Sequence, residues 1–289
     1  MDHMKCVVPA RPQWRELLTD MWEEAFGDSR ERIGLFHKYF PVEKYAWCYV
    51  EGDRPLSVIY ALPAWRWKGA GRQAVRYLYA GSTKRENRGS GYYGRLLQAV
   101  CGGGMWDGDV RGGDGGGEPV SHILVPVPEL IPYYEKLGFV LMEKEEEEEV
   151  VLDGSAAQEK EMGPGADMTL VRKTDAPRYK EIRDLRLGGP GYVEWDENYL
   201  AYALESLEAD GGQALEICLD GKFHILLGRT SGQCLSLTET SLTAEELAKR
   251  GGLLRRLFGC GLAVRKGTVL MGYEKAWEEK PYFKIPLDD

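Results

Sequence analysis

A glycine-rich loop between a predicted strand and a predicted helix limits the possible folds of this chain more than any other feature. The loop is Arg88-Gly89-Ser90-Gly91-Tyr92-Tyr93-Gly94, and the helix after it carries Leu96, Leu97 and Val100 on one face. Glycine lets a backbone approach a ligand closely, and the first amides of a helix point unpaired N–H groups at that ligand. Because the helix dipole adds positive charge there, the loop predicts a site for a phosphate or pyrophosphate group.

The spacing of Gly89, Gly91 and Gly94 also fits the dinucleotide fingerprint G-x-G-x-x-G. That fingerprint opens a parallel βαβ unit, with an acidic residue about 20 residues further on. Here the loop follows two predicted helices within 12–40 and strands in hairpin order, and a glycine-dense stretch, 102–118, takes the place of the acidic residue. The context therefore favours a different phosphate-containing ligand over a nicotinamide dinucleotide.

A second segment, Tyr133-Tyr134-Glu135-Lys136-Leu137-Gly138-Phe139, follows the loop along the chain. Together the two resemble the GCN5-related N-acetyltransferases, the GNAT family. The loop resembles motif A of that family, Arg/Gln-x-x-Gly-x-Gly/Ala, with Arg88 and Gly91 at matching positions and Tyr93 at the sixth. The second segment is similar to the family's Tyr-x-Lys-x-Gly-Phe. A bulky residue such as Tyr93 is expected in the branch that resembles the Eis-type tandem-GNAT acetyltransferases.

The resemblance implies that acetyl-CoA is the co-substrate and that two groups of backbone atoms bind it. The pantetheine arm would be held along Ala80, Gly81, Ser82 and Thr83. The pyrophosphate would be held by amides of Arg88, Gly89, Ser90, Gly91, Tyr92, Tyr93 and Gly94. The resemblance also implies that Tyr134, with Tyr133 as its substitute, protonates the departing thiolate.

The group that removes the proton from the acceptor stays open at this stage. The candidates are Glu24, Tyr79, Glu129, a chain of water molecules, and the C-terminal carboxylate of Asp289, since the Eis-type branch uses its terminus near the active site. The implied transfer is direct, without a cysteine nucleophile. Cys101 is therefore interpreted as an ordinary thiol near a helix end.

The implied function is an acetyl-CoA-dependent N-acetyltransferase that moves the acetyl group to a primary amine of a small molecule or peptide. A second hypothesis is a non-catalytic acyl-CoA-binding or regulatory protein that keeps the loop without turnover. The intact segment around Tyr134 favours the enzyme.

The implied fold is of the α+β or α/β class, a GNAT acyl-CoA N-acyltransferase fold with a mixed, mostly antiparallel sheet flanked by helices. Turn residues and composition predict a catalytic GNAT domain at 1–152, a linker at 153–166 and a second, degenerate GNAT-like domain at 167–289. The second half repeats the order of elements of the first, which indicates an internal repeat. Its segment 238–243 has no glycine loop, so we expect no cofactor there.

Hydrophobic periodicity and turn signals predict the individual elements. The helices are two within 12–40, Tyr93–Val100, a short one between Pro128 and Gly138, Ala176–Leu187, Glu197–Glu208 and Ala244–Phe258. The strands are Tyr45–Glu51, Leu56–Trp67, Gln73–Thr83, His122–Val127, Phe139–Met142, Met168–Val171, Ala214–Leu219, Phe223–Gly228 and Cys234–Thr238.

The net charge, the cysteines and the hydropathy of the chain limit which partners, metals and location we expect. The net charge of −9 repels phosphate backbones, so nucleic acid is not an expected partner, and a cationic acceptor is favoured. The six cysteines are scattered and the four histidines form no metal-spaced cluster, so we expect no metal and reduced thiols. Without an apolar run of about 20 residues, we expect a cytoplasmic protein that does not enter a membrane, as a monomer or a homo-oligomer.

Overall fold

The computed structural model describes residues 5–68, 71–102, 120–144, 147–152, 168–189, 191–265, 267 and 269–273. The chain forms two compact units, one of Met1–Glu143 with Val269–Pro281 and one of Lys144–Thr268 with Tyr282–Asp289. Three predicted features lie outside the described residues: the glycine-dense stretch 102–118 apart from its first residue, the linker 153–166, and the terminal carboxylate of Asp289.

The first unit contains the predicted helices and strands, and also a strand at Lys5–Pro9 and a short helix at Val42–Tyr45 that the sequence pattern did not predict. Its elements are β1 (Lys5–Pro9), α1 (Arg15–Phe26), α2 (Arg30–Tyr39), α3 (Val42–Tyr45), β2 (Ala46–Glu51), β3 (Arg54–Lys68), β4 (Gly71–Thr83), α4 (Tyr92–Cys101), β5 (Ser121–Leu124), α5 (Ile131–Lys136) and β6 (Val140–Lys144). The two helices predicted within 12–40 are α1 and α2. They part at Gly27, whose φ of 76° ends α1, and Ser29 caps α2 by accepting the amide of Arg32 at 3.2 Å.

The second unit begins one strand before the predicted linker. Its elements are β7 (Glu148–Val151), β8 (Met168–Lys173), α6 (Ala176–Leu187), β9 (Val193–Trp195), α7 (Glu197–Ala209), β10 (Gln213–Leu219), β11 (Lys222–Ser231), β12 (Cys234–Thr240), α8 (Ala244–Lys249), α9 (Gly251–Phe258) and β13 (Leu262–Arg265), and β14 (Val269–Tyr273) then joins the first unit.

The single helix predicted at Ala244–Phe258 is wrong, because the chain forms two helices, α8 and α9, that meet at Arg250. Two glycines follow Arg250 in the sequence, and glycine weakens a helix interior. The predicted capping box at the start of α8 is confirmed. Thr243 Oγ1 accepts the amide of Glu246 at 3.2 Å, and Glu246 Oε2 accepts the amide of Thr243 at 2.8 Å.

Each unit contains one mixed sheet. The first has the order β1-β2-β3-β4-β5-β14-β6 and the second the order β7-β13-β12-β11-β10-β8. In the first sheet β4 and β5 pair in parallel, and in the second β12 and β13 do so, whereas the other registers determined within the two sheets are antiparallel. The predicted mixed, mostly antiparallel sheet flanked by helices is therefore confirmed, and it occurs twice.

Two strands fall on the other side of the predicted domain boundaries: β7 belongs to the second unit and β14 to the first. Strand β7, which precedes residue 152, pairs antiparallel with β13 through Val150 and Ala263. Strand β14, which lies beyond residue 167, pairs antiparallel with β5 through Met271 and Leu124. Strand pairing depends on which edges meet in space, so it carries no local sequence signal that would place these two strands.

A buried aromatic cluster holds α1 and α2 against the sheet of the first unit. The ring of Trp22 contacts Phe36 and Tyr60 at centroid distances of 4.8 and 5.4 Å. His37 lies in the same cluster, with Nε2 at 2.6 Å from Tyr60 Oη. Burial lowers the pKa of His37 to about 4, so the imidazole is neutral at physiological pH.

We predict that His37 makes the free energy of unfolding fall in mild acid. Its pKa is about 4 in the folded protein and 6.5 when unperturbed, so between these values the unfolded chain binds the extra proton. The stabilisation is therefore complete above the unfolded pKa and is lost as the pH falls through the folded one. The complete loss is on the order of 3 kcal/mol.

Urea unfolding at several pH values, followed by tryptophan fluorescence, measures this loss. In His37→Gln, which stays neutral at every pH, the fall in stability from neutral pH to about pH 4 should be smaller than in the parent protein. Both proteins keep His122, whose pKa is also lowered by burial, so the difference between their two stability losses comes from His37 alone. Equal falls in the two proteins would contradict the prediction.

Candidate active site

Strand β4 carries a bulge close to its C-terminal end. Val58 of β3 pairs with Ser82 and Tyr60 pairs with Tyr79, so the single residue between Val58 and Tyr60 faces both Ala80 and Gly81. Ala80 has a φ of 48°, which is rare for a residue with a side chain. A bulge leaves backbone groups out of the ladder and re-aims the strand, and such bulges are frequent beside active sites.

Strand β4 also separates from β5 before it ends. Their parallel register runs from Val75 opposite Ser121 to Tyr77 opposite Ile123, whereas β4 continues to Thr83. Beyond Tyr77, the described residues supply no registered partner on this side of β4. The strand therefore offers unpaired backbone groups along the residues predicted to hold the pantetheine arm, which suits a ligand that adds to a strand edge.

The loop after β4 ends in an uncapped helix N-terminus. Gly89 and Gly91 have φ values of 78° and 73°, in the left-handed region that glycine adopts without strain. Gly91 is the residue before α4, and its carbonyl accepts a backbone hydrogen bond from the amide of Arg95 at 3.1 Å. No side chain caps α4, so the first amides of the helix are available to an anion.

Two exposed arginines flank these amides. Arg88 Nε donates to the carbonyl of Thr83 at 3.1 Å, which ties the loop back to the end of β4. Arg95 donates from Nη1 to Tyr49 Oη at 3.3 Å. Both guanidinium groups keep further N–H donors that can add charge-assisted bonds to a phosphate.

The side chain of Tyr92 points away from the loop. Its ring stacks on Tyr49 with a centroid distance of 5.2 Å, and its hydroxyl accepts a hydrogen bond from Lys5 Nζ at 2.9 Å. The ring anchors the start of α4 to β1 and β2, and the predicted role of Tyr92 in binding concerns its amide.

Three tyrosines meet where α4 and α5 approach each other. Tyr93 Oη lies 3.3 Å from Tyr134 Oη, and the ring of Tyr133 stacks on that of Tyr93 with a centroid distance of 6.3 Å. Tyr134 is 8% exposed and packs against Phe139, whereas Tyr133 is half-buried. Burial raises the pKa of all three phenols, so each is a protonated hydroxyl at neutral pH.

The hydroxyl of Tyr93 lies directly against the bulge of β4. A Cβ placed on Gly81 would overlap Tyr93 Oη and come within 2.6 Å of the ring atoms Cε2 and Cζ. Tyr93 and Gly81 therefore fit together only because residue 81 has no side chain. Sequence reasoning assigned Tyr93 a backbone role alone and missed this contact. The signal was its bulk at a motif position that usually holds glycine or alanine.

Two buried polar atoms near the strand end have no hydrogen-bond partner in the described part of the chain. They are Ser82 Oγ, on a residue that is 5% exposed, and Asn87 Nδ2 in the turn before the loop. Ser57 Oγ, in contrast, donates to the Ser82 carbonyl and lies 2.9 Å from Thr83 Oγ1. Buried polar groups are normally satisfied, so these two atoms are exceptions close to the end of β4.

The three side chains proposed as the base occupy different surroundings. Glu24 Oε2 accepts the amide of Arg85 at 3.1 Å, at the entrance of the loop. Tyr79 packs on Trp22 at 5.6 Å, next to the bulge. Glu129 is exposed in the turn before α5. Only Glu24 and Tyr79 therefore lie on elements that touch β4 or the loop.

No family model and no curated protein sequence matches the chain. Solved structures of other proteins are similar to this chain. A GCN5-related N-acetyltransferase from Anabaena variabilis is similar at 12% identity, with a TM-score of 0.68 over 93% of this chain and 72% of that one. Eis1 from Mycobacterium abscessus is similar at 10% identity, with a TM-score of 0.59 over 92% and 73%.

The chain has the GNAT fold. A glucosamine N-acetyltransferase region of a fungal multi-domain GH3 β-N-acetylglucosaminidase is also similar, at 10% identity and a TM-score of 0.53 over 94% of this chain and 38% of that one. The predicted GNAT fold is therefore confirmed across most of the chain. Within the described residues, no helix is long and apolar enough to cross a membrane, and no group of three metal-ligating side chains occurs.

We predict that Gly81→Ala destabilises this GNAT fold through Tyr93. The added methyl group overlaps the phenol, and overpacking of this kind costs about 1–3 kcal/mol. In Tyr93→Ala, which removes the ring, the same Gly81→Ala change should cost little. Urea unfolding of the four proteins of this cycle measures the coupling.

Gly34→Ala is the matched control, because a Cβ at Gly34 meets no atom within 4 Å and the residue lies inside α2. It should be neutral or slightly stabilising. An equal cost of Gly81→Ala with and without the Tyr93 ring would show that the two residues do not depend on each other.

Proposed function

We propose that the chain is an acetyl-CoA-dependent N-acetyltransferase that moves an acetyl group directly to a primary amine of a small molecule or peptide. One observation carries the proposal. A strand edge without a registered β5 partner, Ala80–Thr83, leads from the hydroxyls of Tyr93 and Tyr134 to an uncapped helix N-terminus at Gly91. This arrangement offers successive sites for a thioester, an extended amide-containing arm and a pyrophosphate.

In this proposal each part of acetyl-CoA has its own protein groups. The amides of Gly89–Gly94 and the guanidinium of Arg88 bind the pyrophosphate. The backbone of Ala80–Thr83 bonds to the amides of the pantetheine arm, since its edge lacks a β5 partner. The thioester then lies at the bulge, beside Tyr93 and within reach of Tyr134.

The reaction needs a proton to leave the amine and another to reach the sulfur of CoA. Hydroxyls at the bulge supply the second proton, and the unpaired backbone there can donate to the tetrahedral oxyanion. A cysteine nucleophile does not suit the site. Burial raises the pKa of the nearby Cys101 thiol to about 12, so it is not a thiolate at neutral pH. Direct transfer to the amine follows.

The second unit supports a division of labour between a catalytic unit and one without a cofactor. Strands β12 and β13 repeat the parallel pair of β4 and β5, yet Thr243 and Glu246 cap α8 with their own side chains. An anion would have to displace these bonds. We propose that the first unit, Met1–Glu143 with Val269–Pro281, carries catalysis and that the second unit is a degenerate GNAT-like domain.

The first acceptors to test are small amines that are cationic in solution. The net charge of −9 attracts them, and one structural neighbour is named as a glucosamine N-acetyltransferase region. The decisive experiment incubates the protein with acetyl-CoA and a panel that contains glucosamine, a polyamine and a peptide. Release of free CoA together with the mass of the acetylated amine measures the transfer.

Each outcome has a definite meaning. Thiol release with acetylated product supports the enzyme. Thermal stabilisation by CoA without release on any amine would favour the non-catalytic acyl-CoA-binding or regulatory protein. No stabilisation by CoA would rule out both.

We predict that Arg88→Ala raises the dissociation constant of CoA by about tenfold. The lost charge-assisted contact to phosphate is worth about 1.5 kcal/mol, which corresponds to that factor. Calorimetric titration measures it. Arg72→Ala is the matched control, because Arg72 is also exposed but lies at the opposite end of β4. Equal affinities for the parent protein and Arg88→Ala would remove Arg88 from the binding site.

A further inference from the structure

The hydroxyl that touches the bulge of β4 belongs to Tyr93. The three heavy atoms nearest to a Cβ on Gly81 are all from the Tyr93 phenol, and Oη is the closest of them. The hydroxyl oxygen of Tyr134, on α5, lies 3.3 Å from the hydroxyl oxygen of Tyr93, on α4. The acid predicted from the second sequence motif therefore reaches the strand through the hydroxyl of another tyrosine.

We propose that Tyr93 and Tyr134 form a two-hydroxyl proton relay, in which Tyr93 protonates the departing thiolate at Gly81 and Tyr134 re-protonates Tyr93. The proposal rests on the proposed function, because it needs a thiolate at the bulge. It assigns the Tyr93 side chain a catalytic role, whereas the motif position alone suggests only an amide that binds phosphate.

Every proton that moves in the relay has a donor and an acceptor. When the carbon–sulfur bond breaks, the Tyr93 O–H bond breaks and an S–H bond forms. The Tyr134 proton moves to Tyr93 at the same time, so the negative charge passes from sulfur to the oxygen of Tyr134. A solvent proton, equivalent to the one lost by the amine, then restores Tyr134.

Burial raises the pKa of both phenols. At Tyr134, burial raises the pKa and the hydrogen bond with Tyr93 opposes that effect. For Tyr93, burial and the neighbouring Tyr134, Tyr133 and Cys101 all raise the pKa. No basic side chain is among these neighbours. Both hydroxyls are therefore protonated at neutral pH before the reaction, as a relay requires.

A purely space-filling role would not need the oxygen atom. The ring of Tyr93 already fills the contact with Gly81 and stacks on Tyr133. The oxygen adds the hydrogen bond to Tyr134 and the approach to the strand. Removal of that one atom, in Tyr93→Phe, therefore separates the relay from packing.

The experiment compares Tyr93→Phe, Tyr134→Phe and the double variant with the parent protein on the best acceptor of the panel. The relay predicts that each single change lowers kcat by about 100-fold or more, with KM for acetyl-CoA unchanged. The double variant should be no slower than the worse single variant, because both hydroxyls serve one proton path. Tyr45→Phe is the control, since Tyr45 is a buried tyrosine of α3 outside the proposed site.

Two results would overturn the relay while leaving the proposed function intact. One is a Tyr93→Phe variant with the kcat of the parent protein when Tyr134→Phe is slow, which would make Tyr134 the direct acid. The other is a double variant whose loss is the product of the two single losses. A parent protein that binds CoA but acetylates no amine would instead overturn the proposed function, and the relay with it.

A second measurement does not depend on turnover. In protein labelled with ¹³C at the tyrosine Cζ, the Tyr134 phenol should titrate at a higher pH in Tyr93→Phe than in the parent, because the donated hydrogen bond is gone. An unchanged Tyr134 titration would show that the two hydroxyls are not coupled, and it too would overturn the relay.

Discussion

The whole candidate site depends on how strand β4 leaves its neighbours. Over Val75–Tyr77 the strand is paired on both sides, but beyond Tyr77 it loses β5, and at Ala80–Gly81 it bulges away from the β3 register. Backbone N–H and C=O groups are obligatory hydrogen-bonding groups, so an open edge in the interior of a domain demands a partner. An extended ligand with its own amides can supply one.

The same strand also determines where Arg88 and the Tyr93 hydroxyl lie. Because Arg88 is bonded to the Thr83 carbonyl, the loop and the uncapped end of α4 are held at the end of the open edge. Because Gly81 has no side chain, the Tyr93 phenol can reach the other end of that edge. The proposed phosphate site and the Tyr93 hydroxyl therefore lie at the two ends of one short stretch of backbone.

The two units share a sheet topology but differ at the start of one helix. Both have a mixed sheet with one parallel pair, and in both a helix follows the strand that begins this pair. In the first unit the helix follows a glycine that has no side chain to cap it, whereas in the second the side chains of Thr243 and Glu246 accept each other's backbone amides. The difference lies in the cap and not in the topology.

The sequence by itself determined the features that rest on local chemistry. Apolar spacing predicted most of the helices, the glycines of residues 88–94 predicted the loop, and Thr243 with Glu246 predicted the capping box that is present. These depend on residues a few positions apart. Only the tertiary structure decided that β7 pairs with β13 of the second unit and β14 with β5 of the first. It also decided that β4 has no registered β5 partner beyond Tyr77, and that the Tyr93 oxygen lies between Gly81 and Tyr134. Those outcomes depend on contacts between segments far apart in the chain, and no local pattern of residues encodes such contacts.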